Sequence, residues 1–503
     1  MPNALAYLML LIWPPVCALL CRRLPPERAI IWCILGGYLV LPPATGFDLP
    51  LVPEMNKISI PNICAFALAV FYLRRRVSLW PDGWPMRALV LLFVLGAVPT
   101  VLTNGDGIVF SLLGNTAPIL FPTATLPGLG LRDLLSVVVG QLITLAPFFL
   151  GRSLLASERG LRELLLALAI GALVYSLPAL VEIRLSPQIN TWVYGFFQHD
   201  FEQMMRQGGF RPIVFLPHAL WLAFFVMSAA LAAIALSRGA ADGQRLKFLF
   251  AAAYLLVVLV LCKSVASLLY AVALAPIMLL ASSRLMVRLA LVLALVAMIY
   301  PMLRNNGWIP TDAILAKAKS YSPERAQSLG FRFNNEEQLL DRADEKPLFG
   351  WGGWGRNLVR DAQTGEILTI PDGEWIIVFG TFGWVGYIAQ MGLIGGPLFL
   401  LWWGMGRARA GPEPRGMPFV VGPMALLLAI TMIDMLLNAI LTPYTWLMAG
   451  AILGVCEARL RSEDPAEPAP AGPSRPRRRA VIGDMNAAVP SRRSAMGQRS
   501  HRS

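Results

Sequence analysis

Basic side chains stand beside apolar runs at several places in this chain, and a pair of carboxylates opens a later one. In FEQMMRQGGFRPIVFLPHALWLAFF, Arg206 and Arg211 flank a Gly-Gly pair and His218 follows one or two helical turns into the apolar run. Two arginines so placed are candidate anion binders; the alternative is that each snorkels from the membrane edge to the interface. Lys263 in VLCKSVASLL interrupts an apolar stretch, where a lone ammonium costs about 2.5–3.5 kcal/mol on insertion scales unless it is paired or in a wet cavity. It reads as a functional cation or as the structural partner of Asp434 in ITMIDMLLNAIL. In PDGEWIIVFGTFGWVG, Asp372 and Glu374 can each act as a general base toward an acceptor hydroxyl or cap the helix that starts there and interact with its dipole.

The polar stretch 304–375 holds the remaining candidates. Arg332 and Glu336 are four residues apart on an expected short helix, FNNEEQLLDRADE, so a helical ion pair competes with a binding role for both. The turn PLFGWGGWGR supplies Gly350, Gly352, Gly353 and Gly355, whose backbones can approach a ligand closely, and ends in Arg356. Trp351 and Trp354 beside them can stack on sugar rings or anchor the interface.

The elements that must position these groups are membrane helices. Hydrophobic residues make up 56% of the chain and charged ones 15%, with a mean hydropathy of +0.60, far more apolar than a soluble domain. Runs of spanning length recur, and nothing shows the alternating period of a membrane barrel. The expected fold is all-α and polytopic, with about thirteen spans (12–14) near 4–21, 28–44, 58–73, 86–103, 133–151, 161–182, 213–236, 247–262, 264–282, 285–303, 376–404, 418–440 and 442–457. Every second loop is basic: Arg22, Arg23 and Arg28; Arg74–Arg76 and Arg87; Arg152, Arg159 and Arg162; Arg238, Arg245 and Lys247; Arg284 and Arg288; Arg407, Arg409 and Arg415. Because basic residues are retained in the cytoplasm, this places the N-terminus outside, the C-terminus inside, and 304–375 on the extracytoplasmic face with the 45–57, 104–132 and 183–212 loops. The domains are therefore 1–303 (ten spans), 304–375 (one large loop), 376–458 (three spans) and 459–503, a basic, disordered cytoplasmic tail.

The first span has no charged n-region and no small-residue cleavage site before Arg22, so it is expected to be retained. The tail, with Arg475, Arg477–Arg479, Arg492 and Arg493, either attracts anionic lipid at about 1 kcal/mol per basic residue or is simply solvated. Tail and inside loops supply much of the net charge of +13, which argues against nucleic acid as a partner. All six cysteines lie in or at the ends of apolar spans, so neither a disulfide framework nor a metal site is expected. No P-loop or dinucleotide fingerprint is present, and no cofactor is implied.

Taken together, GGFRPIVFLPHALWLAFF, CKSVASLLY, FRFNNEEQLLDRADEKPLFGWGGWGR and DGEWIIVFGTFGWVG resemble, in order and on one face, the O-antigen polymerase and O-antigen ligase superfamily of bacterial envelope enzymes over roughly residues 200–400. The resemblance implies a GT-C-like helical protein of the inner membrane that performs a metal-independent, inverting transfer of a glycan from a polyprenyl-diphosphate-linked oligosaccharide to a glycan or lipid acceptor hydroxyl, in lipopolysaccharide or exopolysaccharide synthesis. It implies that Arg211, Lys263 and Arg332, supported by Arg206, bind the diphosphate, since guanidinium matches phosphate bidentately and stabilises charge on a leaving group. The expected catalytic set is Asp372, Glu374, Arg211 and Arg332, and the expected binding set Arg206, Lys263, His218, Arg356, Trp351 and Trp354. Ligases often carry His where this chain has Asp372-Gly373-Glu374, which leans toward a chain polymerase. The rival from another class is a lipid-linked glycan flippase or other secondary transporter, which should show ionisable residues near mid-membrane and two related halves; a non-catalytic assembly or sensor component is a third possibility.

Overall fold

The computed structural model describes residues 1–49, 52–113, 120–206, 208–407 and 418–463. Arg409, Arg415 and the tail arginines fall outside them. Helices α1 (Ala4–Arg23), α2 (Pro26–Val40) and α3 (Ser59–Ala67, continued by a π turn to Tyr72) pack together, with the two-residue strands β1 (Gly46–Phe47) and β2 (Met55–Asn56) between α2 and α3. Then come α4 (Trp84–Leu95), its continuation α5 (Ala97–Leu102), the hairpin β3 (Ile108–Leu113) and β4 (Leu120–Leu126), α6 (Leu131–Leu154), α7 (Glu158–Arg184) and the short α8 (Ile189–Tyr194). The strands β5 (Met205–Arg206) and β6 (Gly209–Phe210) precede α9 (Ala219–Ser237), α10 (Asp242–Leu261), α11 (Val265–Leu280) and α12 (Ser283–Asn305). The chain ends in α13 (Thr311–Tyr321), α14 (Pro323–Asp344), α15 (Glu374–Arg407), α16 (Val421–Asp434) and α17 (Pro443–Glu463).

Eight of these elements are long and apolar enough to cross a membrane: α1, α4 with α5, α6, α7, α9, α10, α12 and α15. Ser59–Tyr72, α11 and α16 are apolar but shorter. Helix α17 runs through Glu463, past the expected domain boundary at 458. The segment read as one long loop is two helices, α13 and α14, followed by a glycine-rich stretch, and it belongs to the same compact unit, Met1–Arg461, as the apolar helices.

Helix α9 is apolar on every side and buried along nearly its whole length, which marks a central helix. Its many alanines let α7, α10 and α11 approach closely. By contrast, α10 buries only the stripe Ala252, Leu255, Val258 and Leu259, leaving the rest of its apolar surface for lipid. Helices α6 and α17 touch backbone to backbone: a Cβ on Gly450 would strike Phe148 O, and one on Gly454 would strike Arg152 O. At the end of this contact the buried Arg152 donates to Glu457 (2.6 Å), the Ser78 carbonyl (2.9 Å) and Asp82 (3.3 Å).

Helix α15 is broken. Gly383 sits at φ 64°, ψ −163°, a conformation essentially confined to glycine. The backbone groups freed by the break are satisfied by the turn after α14. Trp351 N and Gly352 N donate to Gly380 O and Thr381 O (2.9 Å each), while Trp384 N and Val385 N donate to Pro347 O (2.8 Å) and Leu348 O (3.2 Å). At membrane depth such pairing is obligatory, because no water replaces a lost partner. Gly350, at φ 68°, has no room for a side chain against Thr381. Of the glycines expected to approach a ligand, Gly350 and Gly352 thus approach α15. Gly383→Ala should destabilise the protein by about 1–3 kcal/mol, since its Cβ would also strike the Leu348 carbonyl; a thermal-unfolding midpoint in detergent equal to wild type would contradict this.

Candidate functional site

The segment 211–217, between β6 and α9, is neither helix nor strand, although it is buried at Arg211, Ile213, Val214 and Leu216. Its backbone must therefore find partners among side chains. Glu182 on α7, fully buried, accepts from Ile213 N (2.7 Å) and Val214 N (2.8 Å) with one oxygen and from Ile189 N (3.0 Å) with the other. Tyr175 Oη accepts from Phe215 N (2.9 Å), Lys57 Nζ donates to Phe215 O (2.7 Å), and Gln198 Nε2 donates to Val214 O and Leu216 O. The bracing is strong enough to hold Val214, a β-branched residue, at φ 52°. Sequence reasoning missed all four braces, and the one available signal was a lone carboxylate at the end of an apolar run.

This braced segment delivers Arg211. Arg211 N is tied to Met204 O (2.8 Å), the residue is 6% exposed, and its buried Nε has no hydrogen-bond partner among the described residues. Among the described residues the Arg211 guanidinium forms no ion pair. Burial, reinforced by the nearby charges of Arg206 and Arg332, pushes its pKa down to about 10. Arg206 sits at the rim on the β5–β6 hairpin, its side chain exposed. Lys263, in left-handed conformation at the break between α10 and α11, donates to Arg206 O (2.8 Å). The intramembrane pair of Lys263 with Asp434 does not form; Asp434 instead accepts from Asn438 Nδ2 (3.0 Å). His218 caps α9, its Nδ1 accepting from Leu220 N (2.9 Å), and its ring meets His199 edge to face at 4.4 Å.

Arg332 enters from α14. Its Nε lies 3.5 Å from Asp372 Oδ2, and its Nη1 donates to Leu437 O (3.1 Å) and Asn438 Oδ1 (3.4 Å) where α16 has ended. The expected helical pair with Glu336 is absent. Glu336 instead accepts from Arg304 Nε (2.8 Å) and Tyr300 Oη (3.0 Å), which docks α14 on α12. Asp372 is about one-third exposed; burial raises its pKa, with Arg332 opposing. Glu374, two residues on, turns the other way and accepts from Gln390 (2.9 Å) in the interior of α15.

The structure therefore brings Arg206, Arg211, Lys263, His218, Arg332 and Asp372 into one neighbourhood at the ends of α9, α11 and α15. Of the remaining four, Glu374 is engaged by Gln390 and the other three lie elsewhere. Trp351 lies under the Arg342 guanidinium (3.4 Å to its centroid) and donates to Arg342 O, Trp354 donates to Asp133 (2.9 Å), and Arg356, 2% exposed, donates to Pro127 O (2.8 Å) and Asp106 O (3.0 Å). The first neighbourhood sets Arg211, which forms no ion pair among the described residues, beside the Arg332–Asp372 pair, whose carboxylate has solvent access: chemically, an anion site with a base at its edge. No protein-family model matches the chain, and neither does any curated protein sequence.

Proposed function

We propose that this protein is a glycosyltransferase of the bacterial inner membrane, which moves a glycan from a polyprenyl diphosphate to a hydroxyl of a growing glycan or a lipid. In this reading thirteen helices cross the membrane, the N-terminus and the 304–375 segment are periplasmic, and the C-terminus is cytoplasmic. The observation that carries it is Arg211, a buried guanidinium with an unpaired Nε and two further arginines close by. An uncompensated buried charge is costly, and a diphosphate is the dianionic partner that guanidinium geometry fits. The resemblance of its sequence stretches to the O-antigen polymerase and ligase superfamily agrees with the same reading.

The donor's diphosphate oxygens face Arg211 and Arg332, with Arg206 and Lys263 at the rim. Asp372 takes the proton of the acceptor hydroxyl, whose oxygen attacks the anomeric carbon from the side opposite the diphosphate. The bond from that carbon to the diphosphate oxygen breaks, the configuration inverts, and polyprenyl diphosphate leaves with its added charge held by the arginines.

The test is transfer by the purified protein in nanodiscs, supplied with polyprenyl-diphosphate oligosaccharides extracted from the source cells. Wild type should give longer glycans and free polyprenyl diphosphate, and Asp372→Asn should lower kcat by about 10²–10⁴-fold. Because burial raises the Asp372 pKa, its basic form accumulates only at pH above the usual aspartate range. The wild-type rate should then rise with pH through a limb displaced upward, which Asn abolishes. No product from wild type, while the same preparation carries lipid-linked glycan across a vesicle bilayer, would replace this reading with transport.

A further inference from the structure

Helix α14 has a second polar face. Gln338, Asp341 and Arg342, with Glu345 just past the helix end, recur at helical spacing on one side. Arg332, Glu336, Leu339 and Ala343 share the opposite side, which is turned toward α12, Asp372 and the core. The first face borders a cavity of about 510 Å³, within the range of about 300–1,000 Å³ typical of small-molecule sites. It lies roughly 9–20 Å along the helix from Arg332 at 1.5 Å per residue, and it shares no lining residue with the anion cluster.

The two other walls are the β3–β4 hairpin, through Ile108, Val109, Phe110 and Leu126, and the stretch 358–362. They are fastened to each other. Ser111 N donates to Ala362 O (3.4 Å), the Thr123 hydroxyl donates to Gln363 O, and Phe110 and Ala124 close on Gly365, whose φ of 75° leaves no room for a side chain. Arg356 pins the base of the hairpin through Pro127 O and Asp106 O.

One wall is thus apolar and the facing one polar. The cations beside the cavity are engaged within the protein: Arg342 with Glu345 (2.7 Å), Arg356 with two carbonyls, Arg360 with Gly365 O (2.9 Å). Among the described residues the side chains of Gln338 and Asp341 make no hydrogen bond. An anion would meet Asp341 and Glu345 here, and a wholly apolar ligand would strip water from Gln338 and Asp341 without replacing it. A saccharide suits both walls, with C–H faces for the hairpin and hydroxyls for the amide and carboxylates.

We propose that this cavity is a glycan-holding site, separate from the anion cluster, that grips sugar residues of the acceptor or product away from the end being joined. The identity of what it grips rests on the glycosyltransferase reading. The probe is oligosaccharide released by mild acid from the polyprenyl-diphosphate pool of the source cells and fluorescently labelled, titrated onto the full-length protein in nanodiscs. Wild type should bind it, Gln338→Ala with Asp341→Ala should weaken binding about tenfold, Ala362→Trp should fill the cavity and abolish binding, and Arg211→Ala should bind as wild type does. In the transfer assay the cavity variants should make shorter products. If wild type does not bind the probe, or the cavity variants bind it undiminished, the site is refuted whether or not transfer occurs. Binding that is lost in the cavity variants, from a wild type that transfers nothing, would uphold the site and sink the enzyme reading.

Discussion

Arg211→Ala should lower transfer by about 10²–10³-fold, the range for removing one preorganised donor from a developing oxyanion. The expectation rests on burial. An arginine that is 6% exposed, with a free Nε and like charges as neighbours, makes its best interactions only when an anion arrives, and more strongly as the leaving diphosphate gains charge. Arg211→Lys keeps the charge but not the planar fork, so it should restore part of the lost rate at high donor concentration. The folded protein should gain stability in Arg211→Ala, because the variant removes an uncompensated buried charge. Loss of rate with an unchanged or raised unfolding midpoint is therefore the expected pair of readings. A variant that transfers at the wild-type rate would remove Arg211 from the site.

The helices were legible because lipid leaves a chain few choices: each apolar run must satisfy its own backbone, so hydropathy alone located helical residues at every expected span. Arg206, Arg211 and Lys263 are conspicuous in the sequence for the related reason that cations beside apolar runs are costly, whereas Arg332 stands in a polar stretch and its place near them comes from the fold. What stayed hidden depends on contacts between distant residues. The β3–β4 hairpin is apolar enough at Ile108–Phe110 to pass for the edge of a span, and it is defined by pairing and by its docking on 362–365. The break at Gly383 lies inside a run that reads as one helix, and it exists because Pro347–Gly352 supplies its partners. Arg332 and Glu336 have the spacing of a helical pair, yet each is outbid by a tertiary partner, Asp372 and Arg304 respectively. Local spacing states which contacts are available, and tertiary packing selects among them.

Glu182→Gln should lower kcat/KM by about ten- to a hundredfold although residue 182 touches no substrate. The wild-type carboxylate offers only acceptors to three amides, Ile189, Ile213 and Val214. A glutamine keeps one acceptor oxygen and turns an NH₂ toward the remaining N–H, so at least one buried donor loses its partner at about 1–3 kcal/mol. Val214 at φ 52° has no intrinsic reason to stay there, and relief of that strain displaces the segment that begins with Arg211. A residue acting through Arg211 should raise KM for the polyprenyl-diphosphate donor and flatten the dependence of rate on salt, whereas one that only supports the fold should lower the unfolding midpoint and leave both unchanged in the folded fraction. The double variant Glu182→Gln with Arg211→Ala separates the two roles. If Glu182 serves the site by holding Arg211, the double variant transfers as slowly as Arg211→Ala alone, and if the two losses multiply, Glu182 acts by another route.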